Sequence, residues 1–268
     1  MHDQPDAFKV STTDRPVTGD SRLLVDQAAR AFDEELHTRA YRETHSDSGH
    51  LEWMVTEVCT GEPGRVLDLG TGNGYVAMAV AERFPGILVT GVDVAAGATS
   101  KNIAAAAARD LTNVAFRLSD GITLPFPDKY FNGIASRYAF HHFPQPEVTL
   151  REVFRALQPG CRLVLADAVR DDRDDVDFIN AFQILKQDGH VEMHRAGALV
   201  RLVQRAGFEL EHAITTSLTF DRAADAAYDE LIGKTPRAVL DSYAIEREGG
   251  KIRLTFPILS AVFVKRTD

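Results

Sequence analysis

Between residues 65 and 168 the chain alternates short apolar runs with runs of helical length. Residues 65–69, 87–92, 114–118, 131–136 and 162–168 read as strands. Residues 75–84, 97–109 and 147–157 carry helical periodicity between them. Strands separated by helices of this length pair in parallel through right-handed crossovers. The strands are apolar without clean alternation, which predicts a sheet covered on both faces. An α/β, doubly wound, mostly parallel sheet is therefore expected.

The flanks have a different rhythm. Leu24, Ala28, Ala31, Phe32 and Leu36 recur at helical spacing, predicting a helix over 22–43, and a short helix is expected over 50–59 before Gly61-Glu62-Pro63-Gly64. The first twenty or so residues are expected to fray. Past Val169 comes a charge cluster over 170–177, mostly Asp and most simply a solvated face. A loop at Asp188-Gly189-His190 follows, then a helix over 195–206 and a strand over 208–220. Residues 221–248 read as helical with a break near Pro236, and 258–264 as a last strand. No internal repeat is evident. The expected organisation is one domain over 1–268: a helical cap (22–60), a core (65–169) and a C-terminal half (170–268) with insertions over the site.

Composition narrows the functional classes. The 268 residues are 44% hydrophobic and carry 30 basic against 39 acidic side chains, a net charge of −9. Such a chain repels phosphate backbones and anionic membrane surfaces, so nucleic acid is not an expected partner. No uncharged apolar run reaches the roughly 18 residues of a membrane span, and the N-terminus lacks a secretory pattern. Cys59 and Cys161 have neither zinc nor redox spacing and are expected to be buried free thiols in a reducing cytoplasm. The oligomeric state is left open; a homodimer is compatible with everything here.

The most informative stretch is Val66-Leu67-Asp68-Leu69-Gly70-Thr71-Gly72-Asn73-Gly74, a strand running through three glycines into a helix. Glycine lets the backbone turn sharply and approach a ligand closely. The spacing is neither the dinucleotide Gly-x-Gly-x-x-Gly nor a phosphate-binding loop. Asp68 would repel a pyrophosphate and suits a ligand with an ammonium or sulfonium group. Asp93, about twenty residues on at the end of the second strand, can accept hydrogen bonds from both ribose hydroxyls of a nucleoside. After the third strand, Asp120-Gly121-Ile122 could read an adenine edge. Taken singly, the turn could be only a turn and Asp93 only a helix cap.

In this order, the motifs resemble the class I S-adenosylmethionine-dependent methyltransferases, in particular the small-molecule group of ubiquinone and menaquinone biosynthesis. The likeness runs from Val66 to about Val169 and more weakly from His190 to Phe208. It implies a Rossmann-like sheet of seven strands with the last antiparallel, and S-adenosylmethionine as cofactor with S-adenosylhomocysteine as product. It implies that Asp68, Gly70, Thr71, Gly72, Asn73 and Gly74 form the cofactor loop, that Asp93 and Val94 hold the ribose, and that Asp120, Gly121 and Ile122 hold the adenine. Arg137 would line the methionine moiety and Tyr41 would close over the cofactor. Relatives often have Asp where this chain has Asn132, which puts one local hydrogen bond in question.

The implied activity is methyl transfer to an oxygen, carbon or nitrogen of a small organic acceptor. A base is needed only where the nucleophile must lose a proton. His141 and His142 follow the fourth strand, and His190 lies in Gln187-Asp188-Gly189-His190-Val191; these three are the candidate catalytic residues, each with a packing role as the alternative. His194 and His212 are expected at the surface. Asp167 could orient an acceptor or satisfy a loop amide. No spacing is a metal signature, and no metal is expected. Phe178, Phe182, Ile184, Leu185, Tyr228 and Tyr243 could line an apolar acceptor pocket or simply pack. The rival functions are a non-methylating rearrangement, cyclisation or decarboxylation on the same cofactor, a non-catalytic binding module, and an RNA or protein methyltransferase. Neither the charge nor any Asp/Asn-Pro-Pro-aromatic motif supports the last.

Overall fold

The structure, a computed structural model, describes residues 19–35, 48–59 and 64–267. The five alternating apolar runs form β1 (Arg65–Leu69), β2 (Leu88–Asp93), β3 (Val114–Leu118), β4 (Phe131–Arg137) and β5 (Leu157–Ala168). They are parallel, in the spatial order β3-β2-β1-β4-β5. The chain order reverses between β1 and β4, so the crevice for a ligand opens at the carboxyl ends of these strands.

Two long strands complete the sheet. β8 (Lys251–Lys265) runs antiparallel to β5 on one side and to β6 (Phe208–Ala223) on the other. The sheet has eight strands among the described residues, not the expected seven. The extra one is β7 (Glu246–Glu248), which pairs with the start of β8. Gly249 and Gly250, at φ 56° and 77°, supply the left-handed pair a two-residue hairpin needs, and the residues before them pair back on β8.

Successive strand residues divide between the two faces. Leu67, Ile134, Leu163 and Leu165 pack on one side with Leu150 and Val153 of α5 (Pro146–Ala156) and Leu199 and Leu202 of α7 (Ala196–Arg205). Val66, Val89, Ala135, Val164 and Ala166 pack on the other with α2 (Ser48–Val58) and α3 (Tyr75–Arg83). Two apolar faces are why these strands lack alternation. The remaining helices are α1 (Gly19–Glu35), α4 (Ala96–Ala107), α6 (Phe178–Ile184), α8 (Ala226–Lys234) and α9 (Arg237–Ser242). Among the described residues no helix is long and apolar enough to cross a membrane.

The C-terminal insertions build a satellite core. The far end of the β6–β8 hairpin extends beyond the parallel strands, and Ile252, Leu254 and Phe256 there pack against Phe178, Phe182, Tyr228 and Tyr243. Those four aromatics are buried against one another, the packing alternative of the two the sequence left open; Ile184 is exposed and Leu185 packs at the margin. The projecting hairpin needs an apolar cover of its own, and these rings provide it. The acidic run also departs from a plain solvated face. Asp172 is exposed, but Asp174 is 0% exposed and accepts the N–H groups of Phe178 (2.9 Å) and Ile179 (3.0 Å) and the Tyr243 hydroxyl (2.8 Å). That carboxylate starts α6, a helix the sequence pattern does not announce.

Smaller expectations resolve locally. Asn132 Oδ1 accepts the Arg65 N–H at 2.9 Å and its Nδ2 donates to Gln158 Oε1, so the bond in question is made. Cys59 and Cys161 are free and half-buried rather than buried; burial pushes the Cys59 thiol up to about 12. His212 is exposed, whereas His194 is half-buried beside Glu192.

Candidate active site: a roofed cleft at the strand ends

The glycine turn is a clamped loop. Gly70, Gly72 and Gly74 lie at φ 71°, 53° and 77°, in the left-handed region that disfavours any side chain. The N–H groups of Gly70 and Thr71 both donate to Val92 O at 2.9 Å, tying the turn to β2. Asp68 Oδ2 accepts Thr71 Oγ1–H at 2.6 Å and Ala77 N–H at 3.0 Å. Burial lifts the Asp68 carboxyl to about 6, against those two bonds. The Gly72 peptide is held from both sides: Asp93 Oδ2 accepts its N–H at 2.7 Å and Asn102 Nδ2 donates to its carbonyl at 2.8 Å. Asp93 Oδ1 accepts from Ala95 N–H at 3.0 Å, and burial raises this carboxyl too.

Above the loop lies a cleft of about 980 Å³, its open mouth included. Asp68, Gly70, Thr71, Gly72, Asn73, Asp93, Val94, Gly121, Arg137 and His142 line it; Asp120, Ile122, His141 and His190 do not. Asp120 is exposed and committed to its own turn, accepting from the N–H groups of Ile122 (2.8 Å) and Thr123 (2.7 Å) and from the Thr123 hydroxyl. Ile122 is buried, and Ser119 takes the place on the wall. Tyr41 lies outside the described residues. Arg137 is gripped by two rings, its guanidinium 4.9 Å from the centroid of Tyr75 and 4.2 Å from that of Tyr138. Its Nε donates to His50 Nδ1 at 3.3 Å.

The sequence reading expects a helical cap over residues 22–60 but does not say which of its side chains roof the site. Val25, Ala28 and Phe32 of α1 line the cleft. Periodicity marks Ala28 and Phe32 as part of an apolar face but cannot say what that face covers. α1 is held by close approach: a side chain on Gly189 would reach within 2.8 Å of Ala28 N, so the loop meets the helix backbone to backbone. Gln145 Nε2 adds a bond to Ser21 Oγ at 3.2 Å, and Phe32 packs edge-on to His142, ring centroids 4.9 Å apart.

The three predicted histidines do come together. Ring centroids are 4.2 Å apart for His141 and His142, 5.7 Å for His141 and His190, and 6.0 Å for His142 and His190. Asp167, at the end of β5, does more than satisfy a loop amide. It accepts the His141 N–H at 3.1 Å and hydrogen-bonds His141 Nδ1 through its other oxygen. Burial pulls the His141 imidazole down, but the charge and hydrogen bond of Asp167 outweigh it and leave the pKa raised. Burial, reinforced by the neighbouring histidines, lowers His142 and His190 to about 3. Asp188 forms an ion pair with Lys186 at 3.0 Å. Among the described residues no group of His, Cys, Asp and Glu has the arrangement to hold a metal ion.

Comparison with known proteins follows this geometry. The chain is 40% identical over 105 residues to demethylmenaquinone methyltransferase of Thermus thermophilus, covering 39% of this chain and 47% of that protein. It is 34% identical over 139 residues to the methyltransferase YcgJ of Bacillus subtilis, covering 52% of this chain and 54% of that one. The crystal structure of YcgJ matches the fold with a TM-score of 0.73 at 22% identity, over 83% of this chain and 100% of that chain. A geranyl diphosphate C-methyltransferase of Streptomyces coelicolor matches with a TM-score of 0.66 at 17% identity, over 90% and 98% of the two chains. The matched stretch spans about half the length of the first of these curated relatives. A family described as a methyltransferase domain matches residues 42–213. That match takes in both the glycine loop and the histidine cluster, and the chain belongs to the methyltransferase domain family.

Proposed function

We propose that this protein transfers a methyl group from S-adenosylmethionine to a small organic acceptor and releases S-adenosylhomocysteine. The observation that carries this reading is the Asp93 carboxylate. It stands at the end of β2, braces the Gly72 peptide and borders a cleft large enough for a nucleoside. A carboxylate keeps lone pairs free after those bonds, so it can also accept from two ribose hydroxyls. The residues present fit the cofactor in charge as well, since Asp68 supplies a negative group to the same cleft. Relatives named for methylating demethylmenaquinone and 27-O-demethylrifamycin SV support a small-molecule acceptor. The free thiols accord with a cytoplasmic setting.

When bound, the cofactor supplies an electrophilic methyl group on sulfonium. The chain's own contribution is position and proton handling. Asp93 and Val94 hold the ribose, Gly121 and Ser119 the base, and the glycine loop, Asp68 and Arg137 the amino-acid end. In-line displacement gains most from such positioning. His141, fixed by Asp167 through Nδ1 and packed against His142 on the cleft wall, leaves Nε2 to take a proton from an acceptor that enters the histidine cluster.

Calorimetric titration with S-adenosylmethionine and S-adenosylhomocysteine tests the reading. Binding of both, lost in Asp93→Ala, is expected. Absence of binding by folded protein would remove the function. A labelled methyl group that stays on the cofactor while acceptor is consumed would turn the reading toward a rearrangement or cyclisation.

A further inference from the structure

Beneath α1, three buried polar atoms receive no hydrogen bond from the protein: His142 Nδ1, His190 Nδ1 and Asp188 Oδ1. His190 is 7% exposed and Asp188 4%. Two of them, His190 Nδ1 and Asp188 Oδ1, are acceptors, as their other bonds require. Asn180 Nδ2 donates to Asp177 Oδ1 (2.8 Å) and Met193 O, while Asn180 Oδ1 accepts the Met193 N–H at 2.7 Å. The amide is thereby oriented, and its oxygen faces His190 Nε2 at 2.8 Å. His190 Nε2 must carry the proton, so Nδ1 of the neutral ring is a bare lone pair. His142 Nδ1 is buried and likewise has no partner. The second Asp188 oxygen, Oδ2, is on Lys186 Nζ.

A buried acceptor without a donor is costly. The rings of His142 and His190 lie 6.0 Å apart and the Asp188 charge acts on both, so these unpartnered atoms group into a place that calls for hydrogen-bonding groups. His142 borders the cleft, so the cluster meets the space where an acceptor must lie. Asp188 is already paired with the Lys186 ammonium through its other oxygen, which favours a neutral hydroxyl over a second ammonium group.

We propose that His142 Nδ1, His190 Nδ1 and Asp188 Oδ1 form the seat for the hydroxyl groups of the methyl acceptor, which is therefore a hydroxylated molecule. The proposal rests on the methyl-transfer reading of the cleft.

The test uses the full chain labelled with ¹⁵N at histidine and saturated with S-adenosylhomocysteine. The probes are catechol, cyclohexane-1,2-diol and methyl glucoside, each paired with its O-methylated counterpart, and aniline. The Nδ1 resonances of His142 and His190 are expected to move with at least one hydroxylated probe and not with its methyl ether. His190→Gln keeps a donor to Asn180 and deletes the Nδ1 acceptor. It should weaken that probe roughly tenfold while S-adenosylhomocysteine affinity stays unchanged; Asp188→Asn should weaken it in the same sense. Rings unmoved by all three hydroxylated probes, or moved equally by aniline, would overturn the proposal. Failure to bind S-adenosylhomocysteine would instead overturn the methyl-transfer reading, and the ring test can be run without it.

Discussion

Asp33 caps a helix to which it does not belong: its Oδ1 accepts the Gly97 N–H at 2.7 Å and the Ala98 N–H at 3.1 Å, at the start of α4. Ala95, at the N-cap of that helix, has no side chain to do this. One carboxylate thus satisfies two orphan donors and ties the roof helix to the segment that follows Asp93. Asp33→Ala should cost about 1 kcal/mol of stability and lower cofactor affinity several-fold, because α1 loses a tether. Asp33→Asn should retain most of both. Urea unfolding and calorimetry read the two effects; an alanine variant with native cofactor affinity would show that this tether does not hold the roof.

Asp68 separates stability from binding. Its carboxyl is raised to about 6, chiefly by burial. A raised acid stabilises the fold below its ordinary range, near pH 4, and that contribution is lost as pH rises through about 6. Asp68→Asn keeps an acceptor for Thr71 and Ala77 and removes the desolvated charge. It should be more stable than the parent above pH 6, by on the order of 2 kcal/mol, yet bind S-adenosylmethionine more weakly. Equal unfolding midpoints at pH 8 and pH 4 for parent and variant would contradict this account.

The Asp167–His141 pair predicts a pH profile. His141 faces Asp167 from β5, Asp188 and Lys186 from the following loop, and the rings of His142 and His190. Its raised pKa means that it works as a base only above the ordinary imidazole range. Asp167→Asn should move the acid limb of the rate to lower pH and reduce the plateau roughly 10²-fold or more, with cofactor affinity unchanged. The stability supplied by the pair is complete below pH 6.5 and lost as pH rises through the raised value, so the variant loses most stability in acid. A rate profile identical in shape to the parent's would remove His141 as the base.

Asp174 and Tyr243 should behave as a structural unit. Tyr243→Phe removes one donor to a fully buried carboxylate and is expected to cost about 1–3 kcal/mol. Asp174→Ala strips the start of α6 as well and should cost more. Both should leave S-adenosylhomocysteine affinity nearly intact, since neither Asp174 nor Tyr243 lines the cleft, which the satellite core meets at Tyr138. Thermal unfolding and calorimetry on the same samples decide it.

What the sequence disclosed follows from range. The place of the glycine loop, Asp93 and Arg137 on the cleft is legible because each sits at a strand end fixed by local pattern. Asp120 closes its own turn and does not line the cleft, a local choice that its place after β3 does not disclose. Phe178, Phe182, Tyr228 and Tyr243 look alike in a pocket and in a core, and only the length of the β6–β8 hairpin decides for the core. A helical cap was legible, but the Asp33 tether that holds it was not, since its partners lie more than sixty positions away.

Gly189 brings bare backbone against α1, and that same helix bounds the cofactor cleft and overlies the histidine cluster. The two regions therefore share one support: a change that loosens the seat of α1 on Gly189 is expected to be felt at the cofactor cleft and at the histidines together, although no residue of either is altered.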